Sequence, residues 1–150
     1  MRYLIGIGNY SMFDDSIGIR IIENIIAKNM EKDFRALDLS GNALNLLSYL
    51  GRETEKIIIV DTARLNLPPG DYRFFVPESV RSVKDLTGIT SHEGDMVKVI
   101  ELARETGYYI PRIIFMGIEP KTIKSEFGLS EILKDRIQRY TEAAIKKLKE

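Results

Sequence analysis

The sequence predicts an α/β protein, a three-layer α/β/α sandwich around a mostly parallel, twisted sheet of about five strands, one of them antiparallel. Residues 57–60 read Ile-Ile-Ile-Val, a β-branched run without polar alternation that is typical of a central strand buried on both faces. Residues 17–30 place isoleucines at helical spacing, which predicts an amphipathic helix. Strands and helices then alternate along the chain, as the crossover connections of a parallel sheet require.

The first half of the chain supplies strands and helices in turn. Residues 3–7 are an apolar run that ends at a glycine, which predicts a buried first strand. After the helix over 17–30, residues 34–39 form a second strand with a weaker pattern. A short helix over 42–50 ends at Gly51, a residue type favoured just beyond a helix.

The second half supplies the antiparallel strand and two more helices. Residues 72–77 follow a Pro-Pro-Gly-Asp turn and are predicted to pair antiparallel with a neighbour. Residues 90–93, Thr-Ser-His-Glu, match a capping box, which predicts a helix running to about residue 106. Residues 113–116 form the last strand, and a long helix covers about 129–149.

Composition restricts the class of protein. A chain of 150 residues fits a single domain, which we assign to residues 1–150. Lys plus Arg and Asp plus Glu each number 22, so the basic excess of most nucleic-acid-binding proteins is missing. The absence of cysteine excludes thiol catalysis, thiolate metal sites and disulfides. No signal peptide or membrane span is evident, and we expect a cytoplasmic protein without membrane or nucleic-acid partners.

Polar residues gather where the predicted strands end. These candidates are Asn9, Asp14, Asp15, Asp61, His92 and Glu119. In an open parallel sheet the carboxyl ends of the strands share one edge, and functional groups collect there. His92 is the only histidine and lies where a helix begins. Two carboxylates and one imidazole are a suitable set of ligands for a divalent metal that keeps positions open for substrate.

Each candidate also has a purely structural explanation. Asp14 and Asp15 can cap the following helix and occupy its first turn. The acids after the strands can belong to turns, and His92 can be an ordinary exposed residue at a helix start. The Gly-Ile-Gly-Asn run over 6–9 can be a tight strand exit, since without a third glycine it is a poor dinucleotide-binding motif.

Four motifs nevertheless occur together and in a fixed order. They are Gly6-Ile7-Gly8-Asn9 with Asp14-Asp15 and Gly18, then Val60-Asp61-Thr62-Ala63, then Ser91-His92, then Gly117-Ile118-Glu119-Pro120. Jointly they resemble the hydrogenase maturation endopeptidases. The resemblance covers nearly the whole chain and implies the same twisted sheet between helices.

The resemblance implies an endopeptidase that removes the C-terminal extension of a nickel-loaded [NiFe] hydrogenase large-subunit precursor. Asp15, Asp61 and His92 match the family's metal-contacting residues, and they are our candidates for both catalysis and metal contact. In the family pattern the second acid of the pair is the ligand, which favours Asp15 over Asp14. Nickel would arrive with the substrate, so the free protein is expected to be metal-free, and we expect a monomer. Either nickel polarises the scissile carbonyl or a carboxylate activates water.

The chain departs from the family pattern at two places. Ser16 follows the acidic pair where glycine is frequent. The family's acid-x-Gly-Thr loop, which is associated with substrate choice, corresponds here to Asp38-Leu39-Ser40-Gly41. The subclass of hydrogenase therefore stays open.

Three alternatives remain at the level of sequence. A nickel-recognition or chaperone module that binds the precursor without cutting it would use the same three residues. A peptidyl-tRNA hydrolase also opens with a strand and Gly-x-Gly-Asn, but its Thr-Arg-His-Asn run is missing here. The third alternative is a nucleotide-binding domain. It is the least favoured of the three, because the loop lacks the third glycine of a dinucleotide-binding motif.

Overall fold

A five-stranded sheet forms the centre of the molecule in the computed structural model, which describes residues 1–79 and 91–150 without the side chains of Ser91 and Glu93. Its strands are β1 (Arg2–Gly6), β2 (Arg35–Asp38), β3 (Lys56–Thr62), β4 (Tyr72–Phe75) and β5 (Arg112–Ile118). Their order across the sheet is β2-β1-β3-β5-β4. The first four in that order run parallel, and β4 pairs antiparallel with β5, as the sequence predicts.

Helices cover both faces of the sheet, which confirms the three-layer prediction. The α-helices are α1 (Ile17–Ala27), α2 (Ser91–Glu105), α3 (Glu131–Asp135) and α4 (Ile137–Lys149), and two 3-10 helices cover Phe13–Ser16 and Ala43–Tyr49. Apolar residues of α1, α3 and α4 pack on one face, and those of α2 and the second 3-10 helix pack on the other. Within the described residues, every helix is too short or too polar to cross a bilayer.

Strand β3 is the central element that its sequence predicts. All of its residues are buried. Because side chains alternate along a strand, Ile57 and Ile59 enter one apolar cluster while Ile58 and Val60 enter the other. A strand covered on both faces carries apolar residues at every position, which accounts for the missing polar alternation.

The first helix ends three residues earlier than its apolar pattern predicts. Asn29 adopts a left-handed conformation with φ of 51°. The N–H of Met30 donates to Ile25 O at 3.0 Å and that of Asn29 donates to Ile26 O at 3.2 Å, the paired bonds of a Schellman motif. Met30 therefore packs against the core from outside the helix.

The predicted helix over 129–149 is divided at Arg136. This residue leaves helical geometry, with φ of −104° and ψ of 4°, and separates α3 from α4. Its Nη1 lies 3.2 Å from Oδ1 of Asp71, so the break ties α4 to the turn before β4.

The predicted helix over 42–50 is a 3-10 helix, and the strand predicted over 72–77 ends at Phe75. The predicted capping box rests on Thr90 and the Glu93 side chain, which lie outside the described residues.

Two glycines bring α1 into direct contact with the strands beneath it. A Cβ on Gly6 would lie 2.3 Å from the carbonyl oxygen of Gly18, and a Cβ on Gly18 would lie 2.3 Å from that of Val60. Only glycine permits this approach of helix and strand backbones. The start of α1 and the 3-10 helix before it are thereby held over the carboxyl ends of β1 and β3.

Candidate active site

Asp15, Asp61 and His92 meet beyond the carboxyl ends of β1 and β3. Asp15 lies in the first 3-10 helix, Asp61 near the end of β3 and His92 at the start of α2. One ligand atom from each lies within 4.8 Å of the other two. Nδ1 of His92 is 3.2 Å from Oδ2 of Asp61 and 3.8 Å from Oδ2 of Asp15. The structure thus brings together the three residues that the sequence singles out.

The cluster is buried on its acidic side and open at the imidazole. Asp61 is 1% exposed and Asp15 is 7% exposed, whereas 28% of the His92 side chain is exposed. Among the described residues, Nδ1 of His92 has no hydrogen-bond partner although it is buried. A buried polar atom without a hydrogen bond is uncommon and calls for an explanation such as an ion. Two carboxylates and an imidazole at this spacing form a donor set that suits a divalent transition metal.

Thr62 orients both carboxylates and was not predicted as part of the site. Its hydroxyl donates to Oδ1 of Asp15 at 2.7 Å, and its N–H donates to Oδ1 of Asp61 at 2.7 Å. In each acid Oδ2 is the oxygen that faces His92. Residues that hold metal-contacting side chains in place in this way tune their geometry. The sequence feature that could have indicated this role is a hydroxyl residue, Thr62, directly after Asp61.

Gly8 explains why the strand exit is rich in glycine. With φ of 152°, a Cβ at this position would lie 2.1 Å from the carbonyl oxygen of Asp15 and 3.4 Å from Oδ1 of Asp61. The backbone must therefore pass against the two acids without a side chain. Asn9 does not join the cluster, since its Oδ1 accepts from the N–H of Ser11 at 3.1 Å and shapes the loop.

Asp14 is buried beside Asp15 but has different partners. Its Oδ2 accepts from the N–H groups of Lys121 and Thr122, both at 2.9 Å. The N–H and hydroxyl of Ser130 donate to its two oxygens at 2.7 and 2.8 Å. The carboxylate thus fastens the segment after β5 to the 3-10 helix. This geometry supports the choice of Asp15 over Asp14 as the candidate ligand.

Glu119 also lies at this edge without joining the cluster. Its Oε1 accepts from the N–H of Leu65 at 2.7 Å and of Leu67 at 3.1 Å. It is 7% exposed and holds the chain that leaves β3. Of the polar candidates at the strand ends, three therefore converge on one point, and the others organise the surrounding loops.

Two cavities open beside His92, with volumes of about 610 and 300 Å³. The larger one has a floor of Ile19, Ile22 and Ile26 from α1. Residues Ser40 and Gly41 line both cavities, so the loop after β2 separates them.

Solved structures share this architecture. The hydrogenase maturating endopeptidase HybD from Escherichia coli has a TM-score of 0.79 at 23% identity, covering 99% of this chain and 93% of that one. The [NiFe] hydrogenase maturation protease HybD from Thermococcus kodakarensis has a TM-score of 0.77 at 24% identity, covering 99% of both chains. At this level of identity the likeness establishes the fold.

The sequence comparisons establish the family. The Hydrogenase 2 maturation protease of Escherichia coli K12 is 24% identical over 152 residues, which cover 100% of this chain and 92% of that protein. The hydrogenase expression/formation protein HoxM of Cupriavidus necator is 24% identical over 140 residues, covering 92% of this chain and 69% of that protein. A family model described as hydrogenase maturation protease matches residues 19–147.

The fold and the family match together define the protein as a peptidase. The chain belongs to the hydrogenase maturation protease family, whose members are endopeptidases. The resemblance read from the four sequence motifs is therefore confirmed at the level of fold, family and enzyme class.

Proposed function

We propose that this protein removes the C-terminal extension of a nickel-loaded [NiFe] hydrogenase large-subunit precursor. One observation carries the proposal beyond family membership, namely the convergence of Asp15, Asp61 and His92 within 4.8 Å at the opening of two cavities. One chain supplies all three residues, which supports action as a monomer. The precursor is the protein partner, and its nickel belongs to the substrate.

In this proposal the three side chains recognise the nickel that the precursor carries. Carboxylate oxygens and imidazole nitrogen are donors that divalent nickel accepts. The Oδ2 atoms of Asp15 and Asp61 face the imidazole, since Thr62 holds their Oδ1 atoms. Contact with the metal places the neighbouring peptide bond at a fixed point, and positioning of this kind can supply a large part of a rate enhancement.

The carboxylates also provide a group that can accept a proton from water. Asp15 is the better candidate, because it is 7% exposed while Asp61 is 1% exposed. In that role Oδ2 of Asp15 accepts the proton of the water in place of contacting the metal, while the hydroxyl of Thr62 orients the carboxylate through Oδ1. Bound nickel would supply polarisation of the scissile carbonyl.

The scissile segment is proposed to lie across the two cavities beside His92. The larger cavity offers isoleucine side chains together with the carboxylates of Glu23 and Asp38. The smaller one continues past Ser40 to Asp95 and Met96 at the start of α2. Residues on the two sides of the cleaved bond would occupy one cavity each.

The test is mass spectrometry of a nickel-loaded precursor from the same organism, incubated with the wild type, with Asp15→Ala and with His92→Ala. We expect loss of a C-terminal peptide with the wild type and an intact precursor with both variants, whose folding is checked by circular dichroism. Asp33→Ala, an exposed aspartate before β2, is the matched control and should cleave normally. A nickel-free precursor should stay intact.

Two results would overturn parts of this proposal. Full cleavage by His92→Ala would show that the cluster of Asp15, Asp61 and His92 is not required for the reaction. A precursor that binds the wild type but is never cut would favour the non-cleaving recognition module.

A further inference from the structure

Two exposed aromatic rings stand side by side near the candidate active site. Phe127 is 70% exposed and Tyr10 is 36% exposed. Their ring centroids are 6.2 Å apart and the ring planes are inclined by 54°. We call this pair the aromatic ledge. Adjacent exposed apolar groups are more informative than single ones, since contiguous apolar patches mark interaction sites.

The Tyr10 ring is held in place from two sides. Its hydroxyl donates to the carboxylate of Glu23, with oxygen distances of 3.2 and 3.3 Å. The guanidinium carbon of Arg20 lies 4.2 Å from the ring centroid, a cation–π contact. An aromatic side chain that is already ordered loses little conformational entropy when a partner packs against it.

Phe127 is carried by a segment that is fixed to the active site. Its neighbour Glu126 accepts from the N–H of Phe13 at 2.8 Å and forms a parallel bridge with Met12. On either side, Thr122 and Ser130 donate to the buried carboxylate of Asp14. The ledge and Asp15 therefore belong to one interlocked unit.

The ledge is continuous with the cleft that would receive the substrate. Tyr10 lines the cavity of about 610 Å³ together with His92. Both charges stand beside the rings, since Nε of Arg20 donates to the hydroxyl of Ser16 at 3.3 Å and the carboxylate of Glu23 accepts from the Tyr10 hydroxyl. A partner surface with an apolar side chain next to polar groups would match both features.

We propose that the aromatic ledge and Arg20 dock the folded body of the precursor large subunit beside its C-terminal extension. This inference rests on the proposed function and adds a second point of contact. The cluster of Asp15, Asp61 and His92 engages the metal, while the ledge engages a protein surface with an apolar side chain flanked by polar groups. Two separate contacts fix the orientation of a large substrate, which one metal contact leaves free to rotate.

The experiment compares Phe127→Ala and Phe127→Glu with the wild type in cleavage of the nickel-loaded precursor. We expect about a tenfold rise in KM for Phe127→Ala, the effect of losing one strong interface residue, and a larger rise for Phe127→Glu. The value of kcat should stay close to that of the wild type, because Phe127 does not touch the reacting atoms. The midpoint of thermal unfolding should not change, since the side chain is mostly exposed.

Tyr109→Glu is the matched control. Tyr109 is 47% exposed and stacks on Arg52 at 4.8 Å, so it is also an exposed aromatic beside a cation. It precedes β5 and therefore lies at the opposite edge of the sheet. Its replacement should leave KM unchanged. An unchanged KM in Phe127→Glu would overturn the docking role, as would an equal rise in both variants.

The affinity of the complex, measured by calorimetry with the same nickel-loaded precursor, separates this inference from the proposed function. A wild type that binds without cutting, together with weak binding by Phe127→Glu, would support the ledge and reject the endopeptidase reaction. If the wild type cleaves the precursor, and the wild type and Phe127→Glu bind it with equal affinity, only the docking role of the ledge would be rejected. Absence of both binding and cleavage would reject both.

Discussion

Four buried carboxylates at one edge of the sheet divide into two pairs with opposite character. Asp14 and Glu119 are occupied by N–H groups of distant loops. Asp15 and Asp61 lie beside an imidazole nitrogen that has no hydrogen bond among the described residues. Burial alone therefore does not identify a functional acid. The groups around its oxygens do, because those of Asp14 and Glu119 accept from distant loops, whereas an oxygen of Asp15 and one of Asp61 face an imidazole.

Replacement of Asp14 by alanine should show the difference between the two pairs of acids most clearly, through the free energy of unfolding. Four donors lose their acceptor, and we expect the free energy of unfolding to fall by about 4 kcal/mol, since each orphaned donor costs roughly 1–3 kcal/mol and such costs are not fully additive. Asp15→Ala should cost less than about 1 kcal/mol, because loss of one Thr62 bond is offset by relief of repulsion from Asp61.

Urea denaturation followed by circular dichroism measures both values. Asp14→Ala should still cleave the precursor when assayed well below its unfolding midpoint, whereas Asp15→Ala should be folded and inactive. Equal stability losses in the two variants would contradict the division of the acids.

Glu119→Ala should have an intermediate effect. The N–H groups of Leu65 and Leu67 lose their acceptor, and we expect a loss of about 2 kcal/mol in the free energy of unfolding. The exposed Glu131 offers a control, and Glu131→Ala should change stability little. Hydrogen exchange at Leu65 and Leu67 should accelerate in Glu119→Ala alone. Slow exchange at these two amides would show that Glu119 does not hold them.

Tyr140→Phe extends the comparison to a neutral group and should have a smaller effect than Glu119→Ala. The Tyr140 hydroxyl donates to the carbonyl oxygen of Gly70 at 2.5 Å, and its loss should cost about 1 kcal/mol. Burial raises the pKa of Tyr140 from 10.0 to about 12, against the opposing effect of Arg136. The folded state therefore favours the neutral phenol, whose contribution to stability is complete below pH 10 and is lost as the pH rises towards 12.

Denaturation of the wild type and of Tyr140→Phe between pH 9 and pH 12 checks this, with the pH range set by the two pKa values. The stability difference between the two proteins should shrink as the pH rises. A stability difference that stays constant over this pH range would show that ionisation of the Tyr140 hydroxyl does not affect stability.

The sequence predicts the layers and the convergence of the three candidate ligands for a physical reason. A run such as Ile57–Val60 has few alternatives to a doubly covered strand, and the carboxyl ends of parallel strands share one edge. Asp61 lies next to the last residue of β3, and Asp15 lies in the 3-10 helix that follows β1. Their positions are therefore determined by local sequence and simple topology.

The roles of Asp14, Glu119 and Thr62 could not be predicted in the same way. The partners of Asp14 lie more than a hundred residues away and are mostly backbone N–H groups, which any residue type supplies. The break at Arg136 could not be predicted either, since the Asp71 that its side chain contacts is distant in sequence. Metal contact by Asp15, Asp61 and His92 itself stays a prediction until the precursor is assayed.

The hydrogen bonds of Asp14 also constrain when the active site can form during translation. Asp14 is separated from Lys121, Thr122 and Ser130 by 107, 108 and 116 positions. Because the ribosome releases the amino-terminal end first, Asp14 emerges long before the groups that it binds. The loop that carries Asp15 can be fastened only after the segment beyond β5 has been translated. The nascent chain thus completes this edge of the sheet only after Ser130 has been translated.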